Sequence, residues 1–242
     1  MISAFLGSVS FLTIVPARGK LSLLSLRLFP VVGAAIGLVL GSVWVLLGNF
    51  LSPSAVAGVL TVLDAVITGG LHLDAVCDSG DGLSGHMDSK SRLAAMADPR
   101  VGAFGVIWLG SFELIRYVAL DSSMAKVLAM GVGYGISRSI MALASTLLPG
   151  AKSDSIISAF TGAIDRPYRL KLTLFIGTQV ALLFGLAVFD GGWRAVLAIA
   201  LGVVGSIAIL ARAKTTIGGV TGDIVGAAGI AFEVIFFLVR LR

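Results

Sequence analysis

An all-α bundle that crosses a membrane about seven times is the fold class this sequence predicts, and three observations predict it. Hydrophobic residues make up 57% of the 242-residue chain and charged residues only 13%, about half the roughly 25% charged fraction of soluble domains. Apolar stretches near the length needed to cross a bilayer, about 20 residues, recur from one end of the chain to the other. Most charges fall between those stretches rather than along them. In lipid a backbone must satisfy its own hydrogen bonds, which leaves helices as the natural solution for stretches of this length. One integral membrane domain, 1–242, is expected.

The elements follow in order. Residues 1–15 are apolar but lack a basic leading segment, so they read as an interfacial stretch and not as a cleaved signal peptide. Spans 28–51 and 54–71 form a hairpin about the uncharged Ser52-Pro53 turn. Span 101–120 opens behind Asp98 and Pro99, which suit the N-cap and the first helical position. Spans 125–148, 172–189, 195–211 and 224–241 complete the set. Neither low complexity nor a fixed-period repeat interrupts the pattern.

Arg18, Lys20, Arg27, Lys90, Arg92, Arg100, Lys152, Arg166, Arg169, Lys171, Arg212 and Lys214, twelve residues, fall on one side of the membrane in this arrangement. Lys126, Arg194, Arg240 and Arg242 fall on the other. The basic side is expected to be cytoplasmic. The net charge of +5 is thereby explained by topology, and its dispersal argues against nucleic acid as a partner. Cys77, the single cysteine, can form no internal disulfide.

Thr68-Gly69-Gly70-Leu71-His72-Leu73-Asp74-Ala75-Val76-Cys77-Asp78-Ser79-Gly80-Asp81-Gly82 carries the chemistry. On a continuing helix Asp74, Asp78 and Asp81, at i, i+4 and i+7, fall within an arc of about 60°. Three carboxylates on one face beside a low-dielectric bilayer repel, and an oxygen-only ligand set selects a hard cation, Mg²⁺. Gly70 and Gly82 flank that face and would let a phosphate or metal approach the backbone. His72 projects about 160° from Asp74 and is not expected to ligate the same ion. Loop residue His86 carries no geometric argument.

Asp98 and Arg100 could add a fourth carboxylate and a cation on the same side. Gly219, Thr221 and Asp223, in Gly218-Gly219-Val220-Thr221-Gly222-Asp223, read either as a glycine turn with a cap or as a nest for a phosphate or its metal. Asp64, Glu113, Arg116, Arg138 and Glu233 lie within spans, where charges are either functional or paired between helices. Asp64 sits nearly three turns from Asp74 and is not expected to share its ion.

These residues resemble the cobalamin (5'-phosphate) synthase family, the adenosylcobinamide-GDP ribazoletransferases. The resemblance rests on five elements in order: Phe11-Leu12-Thr13 with Pro16; Arg27, Phe29, Pro30 and Gly33; the stretch from Thr68 to Gly82; Met96, Asp98, Arg100, Gly102 and Gly105; and Gly218 to Asp223. Ala75-Val76-Cys77 and Ser79-Gly80 depart from the family's usual residues while the three aspartates stay.

The resemblance implies a Mg²⁺-dependent transferase of the cell membrane, with its site on the cytoplasmic side. It would join adenosylcobinamide-GDP to α-ribazole or its 5'-phosphate with release of GMP, a displacement at phosphorus. Asp74, Asp78 and Asp81 would hold Mg²⁺, one of them or Asp98 would accept the hydroxyl proton, and Arg100 would stabilise phosphate charge. Gly70, Gly82, Gly219, Thr221 and Asp223 would bind phosphate or its metal. Membrane lipid is the surrounding partner, and self-association as a homo-oligomer stays open. The alternatives are a CDP-alcohol phosphotransferase, whose metal motif the aspartate spacing partly matches, and an ion-coupled transporter with Asp64, Glu113, Arg138 and Glu233 as a relay.

Overall fold

A computed structural model describes residues 2–122, 126–152, 156–163 and 165–241. Ala125, the first residue of one expected span, and Arg242, one of the four basic residues on the sparse side, lie outside the described residues. The chain runs α1 (Ile2–Leu12), α2 (Leu23–Leu26), α3 (Phe29–Leu47), α4 (Pro53–Thr68), α5 (Leu71–Leu83), α6 (Ser89–Ala95), α7 (Ala103–Leu120), α8 (Val127–Leu147), α9 (Ile156–Ala163), α10 (Arg166–Ile217) and α11 (Gly222–Leu241).

Of these, α3, α7, α8, α10 and α11 are each long and apolar enough to cross a membrane, and α4 meets that test only together with α5. The expected seven spans reduce to these elements because α10 carries two of them. It runs for 52 residues, and at 1.5 Å per residue that is about two and a half times a 30 Å hydrocarbon core, room for two crossings. Gly192, at φ 54° and ψ −140°, breaks it without intervening loop residues. With 11 residues, α1 is too short to cross; Ile2 and Phe5 on it are exposed, consistent with an interfacial position.

Glycines set how closely the crossing helices approach. Gly33, Gly37 and Gly41 form a ridge on α3 against α8. A Cβ at Gly33 would lie 2.6 Å from the Tyr134 carbonyl oxygen, one at Gly41 would lie 2.8 Å from Val127 Cα, and one at Gly37 would strike the Met130 carbonyl. Backbone thus packs on backbone, the usual substitute in lipid for a hydrophobic driving force.

The two ends of the bundle are tied separately. At one, the Val220 amide donates to the Pro149 carbonyl and the Ala151 amide to the Val220 carbonyl, both at 2.9 Å. At the other, Arg240 pairs with Asp190, and Lys126 Nζ donates to the carbonyls of Arg240 (3.1 Å) and Leu241 (3.3 Å). Lys126 and Arg240, both assigned to the sparse basic side, therefore meet at one end, away from the loop that carries Lys152.

Between the ends, the charges within the crossing helices are matched to one another. Arg116 on α7 pairs with Asp64 on α4, lies 3.2 Å from Glu233 on α11 and 3.3 Å from Glu113 on its own helix. Arg138 on α8 also pairs with Glu233, and the Tyr134 hydroxyl donates to Asp64 at 2.7 Å. Asp64, Arg116, Arg138 and Glu233 are all buried. Four helices are locked by this network.

Candidate active site

Two consecutive left-handed glycines, Gly69 (φ 63°) and Gly70 (φ 70°), end α4 and turn the chain by 93° into α5. Few other residues adopt that conformation without strain. Having turned, α5 lies across the first turns of α7 and α11. A Cβ at Gly226 would meet Ala75 Cβ at 2.8 Å, and one at Gly80 would meet the Trp108 side chain at 2.8 Å. The aspartate-bearing helix therefore lies at the end of the bundle where α7 and α11 begin.

α5 is continuous through Asp74, Asp78 and Asp81, so the shared face exists, but the three carboxylates have different neighbours. Asp74 is exposed and Asp78 is half-buried. Burial, then the charges of Asp74, Asp223 and Asp81, pushes the Asp78 carboxyl up to about 6. Asp223, in the first turn of α11, thus joins the acidic group from a distant motif. Asp81 accepts from the amides of Gly102 (2.7 Å) and Gly105 (2.8 Å) with its two oxygens, capping α7 from outside. A Cβ at Gly105 would lie 2.6 Å from the Asp81 carboxylate, and one at Gly102 would also strike it. The Gly102–Gly105 spacing is explained by this contact.

That arrangement corrects the expected start of the third span. α7 begins at Ala103 with Gly102 as N-cap, and Asp98 lies before it, where it accepts from the Arg100 amide at 2.9 Å and pairs with the Arg100 guanidinium at 2.7 Å. Arg100 keeps 87% of its side chain exposed. Its hydrogen bonds hold the Asp98 carboxyl down at about 2, as suits an ion pair.

Of the glycines expected to admit a ligand, only Gly70 has open space where a Cβ would stand. Gly82 is packed under the Met96 side chain, and Gly219 is closed by Pro149, 2.5 Å from a built Cβ. Both are close-packing positions. Thr221 accepts from the Ile224 amide at 3.2 Å and lies 3.3 Å from Asp223, which caps α11 and orients that carboxylate.

A cavity of about 250 Å³ opens beside this group, lined by Asp74 and Asp223 together with His72, Ser145 and apolar side chains from the N-terminal segment and α9. His72 and Asp74 both line it although they project in different directions, because it reaches around the first turn of α5. Sequence reasoning missed its apolar wall, whose residues carry no polar signal. It also missed Arg92, counted only as a loop charge: buried, it donates to the carbonyls of Gly82 (2.8 Å), Gly85 (2.8 Å) and Met87 (2.9 Å) and holds the turn after α5 closed.

Among the described residues, no three His, Cys, Asp or Glu side chains converge to enclose a metal ion. Mg²⁺ is ordinarily held by one or two carboxylates plus substrate phosphates, a requirement that neighbouring Asp74 and Asp78 fit.

A family model described as cobalamin-5-phosphate synthase matches residues 4–241. The chain belongs to the cobalamin-5-phosphate synthase family. Relatives named adenosylcobinamide-GDP ribazoletransferase include one from Geobacillus sp., 34% identical over 93% of this chain and 90% of its own. One from Frankia casuarinae is 36% identical over 90% and 86%, and one from Chlorobium chlorochromatii is 30% identical over 97% and 94%. No solved structure matches the chain. The aspartate-rich element meets the Gly-x-x-Gly element through Asp81, and Asp223 of the closing Gly-Gly-x-Thr-Gly-Asp element lines the same cavity as Asp74.

Proposed function

We propose that this protein joins adenosylcobinamide-GDP to α-ribazole or its 5'-phosphate, releasing GMP, on the cytoplasmic side of a cell membrane. The observation that carries the reading is that Asp74 and Asp223, from two separate motifs, line one largely apolar cavity, with Asp78 near enough to feel both charges. Lipid covers the exposed apolar residues of α10, among them Leu170, Leu174, Leu182 and Val204.

The ribose hydroxyl oxygen of the nucleoside attacks the phosphorus attached to the corrinoid, and the phosphorus–oxygen bond to GMP breaks. Asp74 and Asp78 would hold Mg²⁺, which when bound supplies charge neutralisation on the diphosphate and on departing GMP. Asp223, held by Thr221 and sharing the cavity with Asp74, takes the hydroxyl proton. Arg100 exchanges Asp98 for a substrate phosphate, and the open backbone at Gly70 admits a phosphate oxygen. Asp81 acts through position, by fixing α5 against α7.

Purified protein in detergent with Mg²⁺, adenosylcobinamide-GDP and α-ribazole is expected to release one GMP per corrinoid consumed. CMP release from a CDP-alcohol instead, or no chemistry with either substrate, would overturn the assignment. The sidedness is tested separately, with cysteines introduced singly at Ser89 and Thr215, both exposed, in right-side-out cell-membrane vesicles. Native Cys77 is buried. Neither site should react with an impermeant thiol reagent from outside, and reaction of either would place the acidic group on the wrong face.

A further inference from the structure

Resting on the reading above, we infer that the cavity is the seat of the benzimidazole nucleoside, with the base against its apolar wall and His72 hydrogen-bonded to the nucleoside. Three observations lead there. The first is size. An apolar cavity on the order of 150 Å³ takes one benzene ring, so about 250 Å³ suits a fused bicyclic base and not a corrin macrocycle. The corrinoid must lie outside, toward solvent or the membrane edge.

The second is the division of the walls. Phe11, Leu26, Phe29, Ile157 and Phe160 offer aromatic and aliphatic surface, while Asp74 and Asp223 line the same space. A nucleoside has the same two parts, a flat apolar base and a hydroxylated sugar. With the base against the apolar wall, the ribose reaches the carboxylates, where its hydroxyl is to lose a proton. A diphosphate placed in this cavity would instead bury two charges among phenyl rings, at a high desolvation cost.

The third is His72. It is 4% exposed, lines the cavity, and its Nδ1 has no hydrogen-bond partner among the described residues. A buried polar nitrogen left unpaired costs free energy, which a ligand offering a partner relieves. The free ring nitrogen of the base and the ribose hydroxyls offer that partner. No role as a metal ligand is implied.

The test uses full-length protein in detergent, with KM measured separately for the two substrates and equilibrium binding measured for α-ribazole and for its 5'-phosphate. His72→Leu is expected to raise KM for the nucleoside at least tenfold, leaving KM for adenosylcobinamide-GDP within twofold. His72→Asn, whose amide can replace Nδ1, should restore most of that loss; a merely space-filling histidine would not be rescued this way. Ser145→Leu, which fills the cavity from α8, should weaken nucleoside binding similarly, and it keeps the test open if His72→Leu does not fold. Equal weakening of α-ribazole and its phosphate supports a site for the nucleoside part; weakening of the phosphate alone overturns the placement of the base. Unchanged nucleoside binding in folded Ser145→Leu, or a rise in KM for the corrinoid substrate instead, also overturns the inference. Absence of GMP release by the unaltered protein would defeat only the preceding reading, because the binding measurements need no turnover.

Discussion

Asp78→Asn is expected to lower GMP release about a thousandfold while leaving the protein folded. The substitution keeps shape and hydrogen bonding but removes one negative charge. Several kcal/mol of transition-state charge stabilisation is at stake when a metal ligand is lost, and each 1.36 kcal/mol is tenfold in rate. Stability without metal should move the other way. The Asp78 carboxyl is pushed up to about 6 by burial and by its acidic neighbours, against about 3.9 in an unfolded chain. Between those values the folded state binds more protons than the unfolded one, so the wild type gains stability as pH falls through about 6. Above that pH the charged form opposes folding in full. Asp78→Asn should therefore raise the metal-free melting temperature at pH 7 to 8 and change it little below pH 4.

Asp81→Asn separates this role from a structural one. An amide presents one acceptor oxygen where the carboxylate presents two, so either the Gly102 or the Gly105 amide loses its partner, at a cost of about 1–3 kcal/mol. Its melting temperature should fall at neutral pH. Melting curves with and without Mg²⁺, read beside GMP release, decide the matter. Near-normal turnover in Asp78→Asn would remove that residue from the site, and a fall in its melting temperature matching that of Asp81→Asn would make both aspartates structural.

The fold was legible because its signals are local. Spanning length, apolarity and the sorting of basic residues each belong to one segment, so the crossings could be read from sequence, including the pair fused in α10. The α5 face was legible for the same reason, since i, i+4 and i+7 depend only on a helix continuing. What escaped depends on contacts between segments. Asp98 before Pro99 has the form of a helix cap, yet α7 starts later because Asp81, from another helix, supplies the acceptors. Gly82 and Gly219 look like ligand-admitting glycines but serve close packing against Met96 and Pro149. The ridge of Gly33, Gly37 and Gly41 was available as an i, i+4, i+8 pattern, and only its partner helix was unknowable. The cavity's apolar wall is assembled from α1, α2, α3, α5, α8, α9 and α11, and no local pattern marks it.

Arg116→Leu is expected to be the most damaging single substitution within the crossing helices, lowering stability by about 3–5 kcal/mol, the usual cost of breaking a buried ion pair from one side. Arg116 is 1% exposed and has Asp64, Glu113 and Glu233 around it. Its loss leaves Asp64 with the Tyr134 hydroxyl alone and leaves Glu233 to Arg138. Asp64 and Glu113 then both lack a cation, and Asp64 is left as a charge among apolar side chains where water cannot screen it. The cost comes from the stranded partner more than from the pair, so removing a matched pair should cost less than removing half of it. Arg138→Met should destabilise strongly, and adding Glu233→Leu should recover much of the loss, since Arg116 and Asp64 still pair. Thermal unfolding in detergent at pH 7 for both single variants and the double variant measures this. A double variant as unstable as the sum of its parts would show that each charge is needed for itself, which is what a relay through these residues requires. Recovery in the double variant would make the network a fastening between α4, α7, α8 and α11, holding rigid the ends of α7 and α11 on which the aspartates of α5 are mounted.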